Sequence, residues 1–292
     1  MIIIGENIHI ISKAISRAID SRDAKAIQAL AVAQAEAGVH YIDLNLGPAR
    51  KDPIAMTEWL VKTVQAAVDL PLSIDTLSPV AMDVGLKMCK RKPMLNSVSG
   101  RTDSREHMLP LAKKYSADVV ISVLTDKGCP IDLASRSESI IETVAHANRI
   151  GIPNEDIWVD PILLPVSADQ KQAKEVLEFI KILPDVLPGI KSTLGLSNLS
   201  NGAPTQLRGM LNRTYMIMLG RCGEYSVIAD ALDRQLMALN RGEMPEIVKL
   251  VYRVMDGENV DMASLPADAR DYVKTAKVLT GENLYSHSWL ED

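Results

Sequence analysis

The run Tyr41-Ile-Asp-Leu-Asn45, followed after a helical pattern by Leu72-Ser-Ile-Asp75, decides the fold class. Both are short apolar runs of strand length. Between them Trp59, Leu60, Thr63, Val64 and Ala67 recur at helical spacing until Pro71 stops the pattern. Ser78-Pro79 then opens another helix, with a hydroxyl N-cap and a proline at the first helical position, where its missing N–H costs nothing. Strand, helix, strand, helix in this order is the pattern of parallel βα units.

Outward from this stretch the alternation continues. Further strand candidates are Ile2–Ile4, Met94–Ser97, Val119–Val123, Ile157–Asp160, Ser192–Leu196 and Ser226–Ala229, which makes eight in all. Helical stripes lie between them, such as Ile27, Leu30, Ala31 and Gln34 before Gly38, and Ile140, Ile141, Val144 and Ala145. Eight βα units in about 240 residues match the size of a (β/α)8 TIM barrel, and the pattern favours that α/β fold over a doubly wound open sheet. Residues 1–242 form the expected barrel. Residues 243–292 do not repeat the unit: a helix through Ile247, Val248, Val251 and Tyr252, a polar loop at Asp256–Asp268 and a short helix near Tyr272–Leu279 predict a helical appendage packed on the barrel of a single domain.

Composition agrees and excludes other classes. The 292 residues are 47% hydrophobic and 24% charged, which rules out disorder, and a single Phe disfavours a sandwich built on aromatic cross-strand pairs. A net charge of −5 leaves no basic surplus for nucleic acid or anionic lipid. No segment is long and apolar enough to cross a bilayer, and Met1-Ile-Ile-Ile-Gly5 lacks the basic start of a signal peptide. Cys89, Cys129 and Cys222 lie far apart, which fits a reducing cytoplasm.

Active sites of such barrels form at the C-terminal strand ends. Here the ends carry Glu6 and Asn7, Asp43 and Asn45, Asp75, Asn96, Asp160, Ser197 and Asn198, and Asp230. Any one of these could be a helix cap, but seven strand ends together predict a ring of carboxylates and amides around one mouth. With no lysine or histidine at a strand end, that ring suits a neutral, hydrogen-bond-rich heterocycle better than a phosphorylated sugar. The five histidines show no paired ligand spacing, so no metal site is expected, and no nucleophile elbow or P-loop is present. The small-residue stretch Gly195–Pro204 after the seventh strand reads either as a phosphate site, frequent there in barrels, or as a flexible loop.

The runs Ile4-Gly-Glu-Asn7, Ile42-Asp-Leu-Asn-Leu-Gly47, Ser73-Ile-Asp-Thr76, Leu95-Asn-Ser97, Val159-Asp-Pro-Ile162 and Gly195-Leu-Ser-Asn198, with the later Asn212-Arg213, resemble the pterin-binding methyltransferases. That resemblance implies methyl transfer between N5 of tetrahydrofolate and the cobalt of cobalamin carried by a separate corrinoid protein, with tetrahydrofolate or 5-methyltetrahydrofolate as substrate. It implies that Asp75, Asn96 and Asp160 hydrogen-bond the pterin, with Asp160 as paired acceptor, and that Asn198 reaches N5 as the catalytic group. Glu6, Asn7, Asp43, Gly195, Ser197 and Arg208 complete the expected folate site. Arg208 stands four residues before Asn212 as in the family, after a loop two residues longer. The resemblance also implies a homodimer. Within it, methyltransferase II of an O-demethylase system is preferred to the acetyl-CoA-pathway enzyme acting on the corrinoid iron–sulfur protein. Dihydropteroate synthase is disfavoured because Ser197-Asn198 stands where that family carries Ser-Arg, and a folate-binding subunit without turnover is the remaining alternative.

Overall fold

The structure, a computed structural model, describes residues 1–10, 12–47 and 52–291. Eight parallel strands run β1 (Ile2–His9), β2 (Tyr41–Asn45), β3 (Leu72–Asp75), β4 (Met94–Ser99), β5 (Asp118–Ser122), β6 (Ile157–Asp160), β7 (Lys191–Ser192) and β8 (Ser226–Ala229). They hydrogen-bond in the order β7-β6-β5-β4-β3-β2-β1-β8. Between β7 and β8 the ring closes through a Gly195–Ile228 bridge, with the Ile228 N–H donating to the Leu194 carbonyl at 2.8 Å. The fold is a (β/α)8 TIM barrel.

The helices are α1 (Lys13–Asp20), α2 (Ala24–Ala37), α3 (Pro53–Gln65), α4 (Pro79–Met88), α5 (Thr102–Tyr115), α6 (Leu133–Arg149), α7 (Lys171–Val186), α8 (Thr205–Cys222), α9 (Arg234–Asn240), α10 (Pro245–Met255) and α11 (Ala267–Thr280). Ser78 caps α4 as its sequence predicts, accepting the Ala81 N–H at 3.4 Å, a contact worth about 1 kcal/mol. No helix among the described residues is long and apolar enough to cross a membrane.

Strand geometry sends successive side chains to opposite faces, and this alternation sorts the barrel. Outward residues such as Ile3, Ile42, Leu44, Ile74, Leu95, Val119 and Val159 join the large core beneath the helices. Inward, Ile4, Met94, Val120 and Trp158 form a separate buried cluster, with Ile2, Tyr41 and Ile228 against it. The last inward apolar residue of each of these strands is followed two positions on by a polar one: Ile4 by Glu6, Tyr41 by Asp43, Met94 by Asn96, Val120 by Ser122, Trp158 by Asp160, Ile228 by Asp230. The barrel is therefore stoppered by an apolar floor with a polar tier above it.

Several boundaries differ from the sequence reading. β1 extends to His9, so Glu6 and Asn7 lie within the strand. A register shift between Gly5 and Ile8 absorbs the interruption that hid Ile8 from the apolar pattern. β7 ends at Ser192 instead of Leu196, and Leu196–Ser200 turns into a 3-10 helix with Leu196, Leu199 and Ser200 buried, so much of the expected loop is ordered structure. Helices α1 and α9 were not foreseen, and α11 is longer than the expected Tyr272–Leu279.

The C-terminal helices α10 and α11 pack on α8, and α11 also meets α7. Gln170 ties them to the barrel by donating to the Val278 and Asn283 carbonyls, each at 2.6 Å, and the Trp289 indole N–H donates to Thr275 Oγ1 at 2.9 Å.

Between α8 and β8 the Glu224 carboxyl is buried, with Ser192 and the Ser226 N–H beside it but outside hydrogen-bond geometry. Burial pushes it well above the ordinary carboxylate range. A group neutral in the fold but ionised in the unfolded chain costs stability as pH climbs from its ordinary value toward its raised one. Urea unfolding should therefore find Glu224→Gln gaining on the wild type as pH rises above the ordinary carboxylate range. A gap that stays constant over that rise would show that Glu224 ionises freely in the fold.

Candidate active site

All ten expected site residues, Glu6, Asn7, Asp43, Asp75, Asn96, Asp160, Gly195, Ser197, Asn198 and Arg208, line one cavity of about 650 Å³ at the C-terminal strand ends. The strands of the polar tier supply the floor and walls, while the Leu196–Ser200 helix and the start of α8 supply one rim.

Some of these side chains are held by the protein. Asn7 donates to Asp230 Oδ1 at 2.6 Å and accepts the Ala231 N–H at 3.1 Å, tying β1 to β8. Asp43 accepts from the Ser73 hydroxyl at 2.6 Å and from Asn96 Nδ2 at 3.1 Å. Arg208 donates to Ser200 Oγ at 3.1 Å and to Asn201 Oδ1 at 3.2 Å, bracing the rim. A Cβ at Gly195 would stand 2.9 Å from Asn198 Nδ2, so a side chain there would displace the Asn198 amide.

Other atoms are left open toward the cavity. Asp160 accepts the Ile162 N–H through Oδ1 at 2.7 Å, and Asp75 accepts from Asn45 through Oδ2. Among the described residues the second oxygen of each, Asn96 Oδ1 and Asn198 Nδ2 have no hydrogen-bond partner. Two acceptors on carboxyls, one amide acceptor and one amide donor thus converge on one space. Among the described residues no group of three metal-ligating side chains is disposed to hold an ion.

Burial sets the electrostatics. It raises Asp160 to about 6, opposed by the Ile162 N–H and by Arg136. Asp43 and Asp75 are both raised by burial, and the negative charge of Asp43 raises Asp75 further. Glu6 is pushed to about 7, again by burial first. His9, on the same strand and half-buried, is lowered by burial.

The sequence reading missed two residues that shape the site. His9 lines the cavity only because β1 continues past its polar interruption. Arg136 is fully buried behind β6, donating to the Pro161 carbonyl at 3.1 Å, the Ile131 carbonyl at 3.2 Å and Gln172 Oε1. It stands one turn before Ile140 on the apolar stripe of α6, the signal that could have found it. Its bonds hold the turn after Asp160, where Ile162 has φ +57°, an unusual conformation for a β-branched residue.

The barrel mouth thus presents carboxyls and amides with open hydrogen-bonding atoms around one cavity. The chain belongs to the pterin-binding enzyme family, whose model matches residues 12–219. It is 30% identical over 239 residues to the methylcorrinoid:tetrahydrofolate methyltransferase of Eubacterium limosum, covering 81% of this chain and 88% of that protein. It is 23% identical over 241 residues to the methionine synthase of Mycobacterium tuberculosis, covering 79% of this chain but 20% of that longer enzyme. In fold it is similar to the Xanthomonas albilineans dihydropteroate synthase in complex with 7,8-dihydropteroate, with a TM-score of 0.67 at 16% identity, covering 84% of this chain and 93% of that one.

Arg136→Met removes the donor from two carbonyls and the Gln172 amide, so a loss of about 1–3 kcal/mol in unfolding free energy is expected. Faster hydrogen exchange at the Ile162 N–H should accompany it. If that amide keeps its protection, Arg136 does not hold the turn.

Proposed function

We propose that the protein moves a methyl group between N5 of tetrahydrofolate and the cobalt of a corrinoid carried by a separate protein. The observation that carries this reading is the set of open hydrogen-bonding atoms on Asp75, Asn96, Asp160 and Asn198 around one cavity. A pterin presents a ring N–H beside an exocyclic amine, and one carboxyl can accept both; Asp160 is assigned that pair. Asp75 and Asn96 meet the remaining polar edge, and Asn198 donates toward N5. Asn7, Asp43, Gly195 and Arg208 hold the walls and rim that keep these groups in place.

Bond breaking at N5 builds negative charge on a nitrogen that is a poor leaving group. A donor aimed at that atom stabilises the transition state more than the ground state. Asn198 fills this role. The similarity to a protein named methylcorrinoid:tetrahydrofolate methyltransferase supports the same two substrates here.

A cavity of about 650 Å³ suits one small ligand, so the corrinoid has to arrive from outside on a partner that docks over the mouth. Exposed Ile54, Leu77, Val80 and Leu232 lie on the segments that follow β2, β3 and β8, at that same end of the barrel. An apolar rim of this kind supports a protein partner. A second copy of the chain, as in the homodimer, would have to leave this face open.

The finer assignment is methyltransferase II of an O-demethylase system, supported by the extension over residues 243–292; the alternative partner is the corrinoid iron–sulfur protein. The barrel, residues 1–242, is the catalytic unit of this reading and the extension a brace upon it. Unpaired Cys89, Cys129 and Cys222 support a cytoplasmic setting.

Calorimetry should detect binding of 5-methyltetrahydrofolate, weakened roughly ten- to a hundredfold in Asp160→Ala, since a hydrogen bond to a charged group is worth about 1.5–3 kcal/mol. Single-turnover methyl transfer to cob(I)alamin, followed by stopped flow, should slow about 10²–10³-fold in Asn198→Ala with a smaller loss of affinity. Absence of binding and transfer in the wild type would overturn the reading. Leu77→Asp should leave transfer to free cobalamin unchanged and slow transfer to the cognate corrinoid protein. Equal rates with that protein would remove Leu77 from the docking face.

A further inference from the structure

We infer that Glu6 holds the proton that N5 of the folate gains and loses during methyl transfer, an assignment that rests on the methyl-transfer reading above. β1 carries Glu6 into the polar tier, in the same cavity as Asn198. The Ser197 hydroxyl donates to Glu6 Oε1 at 2.6 Å, and Ser197 Oγ in turn faces the Asn212 amide Nδ2 at 3.4 Å. Because Asn212 Nδ2 can only donate, the serine proton is directed at Glu6 and fixes Oε1 as an acceptor. Oε2 has no hydrogen-bond partner among the described residues. It is the oxygen left to carry a proton, and Ser197, which fixes the other oxygen, is the chain neighbour of Asn198, the side chain that meets N5.

The other carboxyls are less suited. Asp160 is turned by the Ile162 N–H toward the far edge of the pterin, and Asp43 is held by Ser73 and Asn96. Asp75 keeps one oxygen open beside the one that Asn45 holds, but that oxygen is assigned to the polar edge of the pterin away from N5. Around Glu6 stand Asp230 from β8, Asp43 from β2, Arg208 from α8 and His9 on its own strand. Burial first, and then the charges of Asp230 and Asp43, disfavour its ionisation, while the Ser197 hydroxyl and Arg208 favour it, and burial prevails, leaving Glu6 at about 7. A group poised there can give a proton and take it back.

In the step from folate to corrinoid, cobalt(I) supplies an electron pair to the methyl carbon and the N5–carbon bond breaks with its pair left on N5. N5 then takes the proton from Glu6, giving methylated cobalt(III), an N5–H tetrahydrofolate and a Glu6 carboxylate. In the opposite direction N5 attacks the methyl carbon, cobalt keeps the bonding pair, and the N5 proton passes to the Glu6 carboxylate.

The test uses the full chain, 5-methyltetrahydrofolate and free cob(I)alamin. Wild-type single-turnover rates from folate to cobalt should be highest at low pH and fall above about pH 7 as Glu6 ionises. Transfer from methylcob(III)alamin to tetrahydrofolate should show the mirror-image limb. Glu6→Gln should slow both directions about 10²–10⁴-fold and abolish both limbs, while binding of 5-methyltetrahydrofolate changes less than about tenfold. Glu6→Asp should restore part of the rate with a shifted limb. Calorimetry in buffers of different ionisation enthalpy gives a readout without turnover: the proton exchange on folate binding near pH 7 should be smaller in Glu6→Gln than in the wild type, the exchange that remains coming from the raised aspartates. A Glu6→Gln protein that binds folate and keeps the wild-type limbs would overturn the assignment while leaving the methyl-transfer reading intact. A wild-type protein that does not bind the folate would overturn that reading itself.

Discussion

The closure of eight strands into a ring imposes a two-residue rhythm on every side chain that enters the barrel. Once Ile4, Met94, Val120 and Trp158 fill the floor, the next inward positions must face the mouth, and they are Glu6, Asn96, Ser122 and Asp160. The site is built by this rhythm. The positions one residue before Asn96 and Asp160 point the other way, into the core beneath the helices, where Leu95 and Val159 are packed.

The same enclosure explains the electrostatics. Four carboxyls share a barrel interior with little water and few counter-charges, so desolvation raises each of them. The fold offsets this with neutral donors: Ser73 and Asn96 for Asp43, Asn45 for Asp75, the Ile162 N–H for Asp160, Ser197 for Glu6. Each of these four carboxyls therefore has one oxygen fixed by the protein and one left open among the described residues. This division makes the arrangement selective for a partner that brings its own donors.

Strands were legible in the sequence where an apolar run was unbroken, as in Tyr41–Asn45 and Leu72–Asp75. They were misjudged where local chemistry intervened. Gly5-Glu-Asn7 broke the β1 run although the strand carries on through a register shift. Leu194 and Leu196 looked like a continuing β7, but beyond Ser192 the chain turns and Leu196 is buried by the 3-10 helix. The polar residues of the mouth were visible because they follow apolar residues at strand ends. Arg136 was not, since a cation on a helix reads as a solvated face until its partners, two backbone carbonyls and Gln172, are known. Its place one turn before Ile140 on the apolar stripe of α6 is the one local mark of that burial.

The apolar floor of the barrel is a cluster apart from the large core beneath the helices. Two consequences follow for how such a protein can change over generations. Volume swaps among Ile4, Met94, Val120 and Trp158 can raise or lower the base of the site without disturbing the helical shell that sustains the fold. A lineage can therefore retune the depth at which its ligand sits, while the scaffold's folding remains governed by a different set of residues.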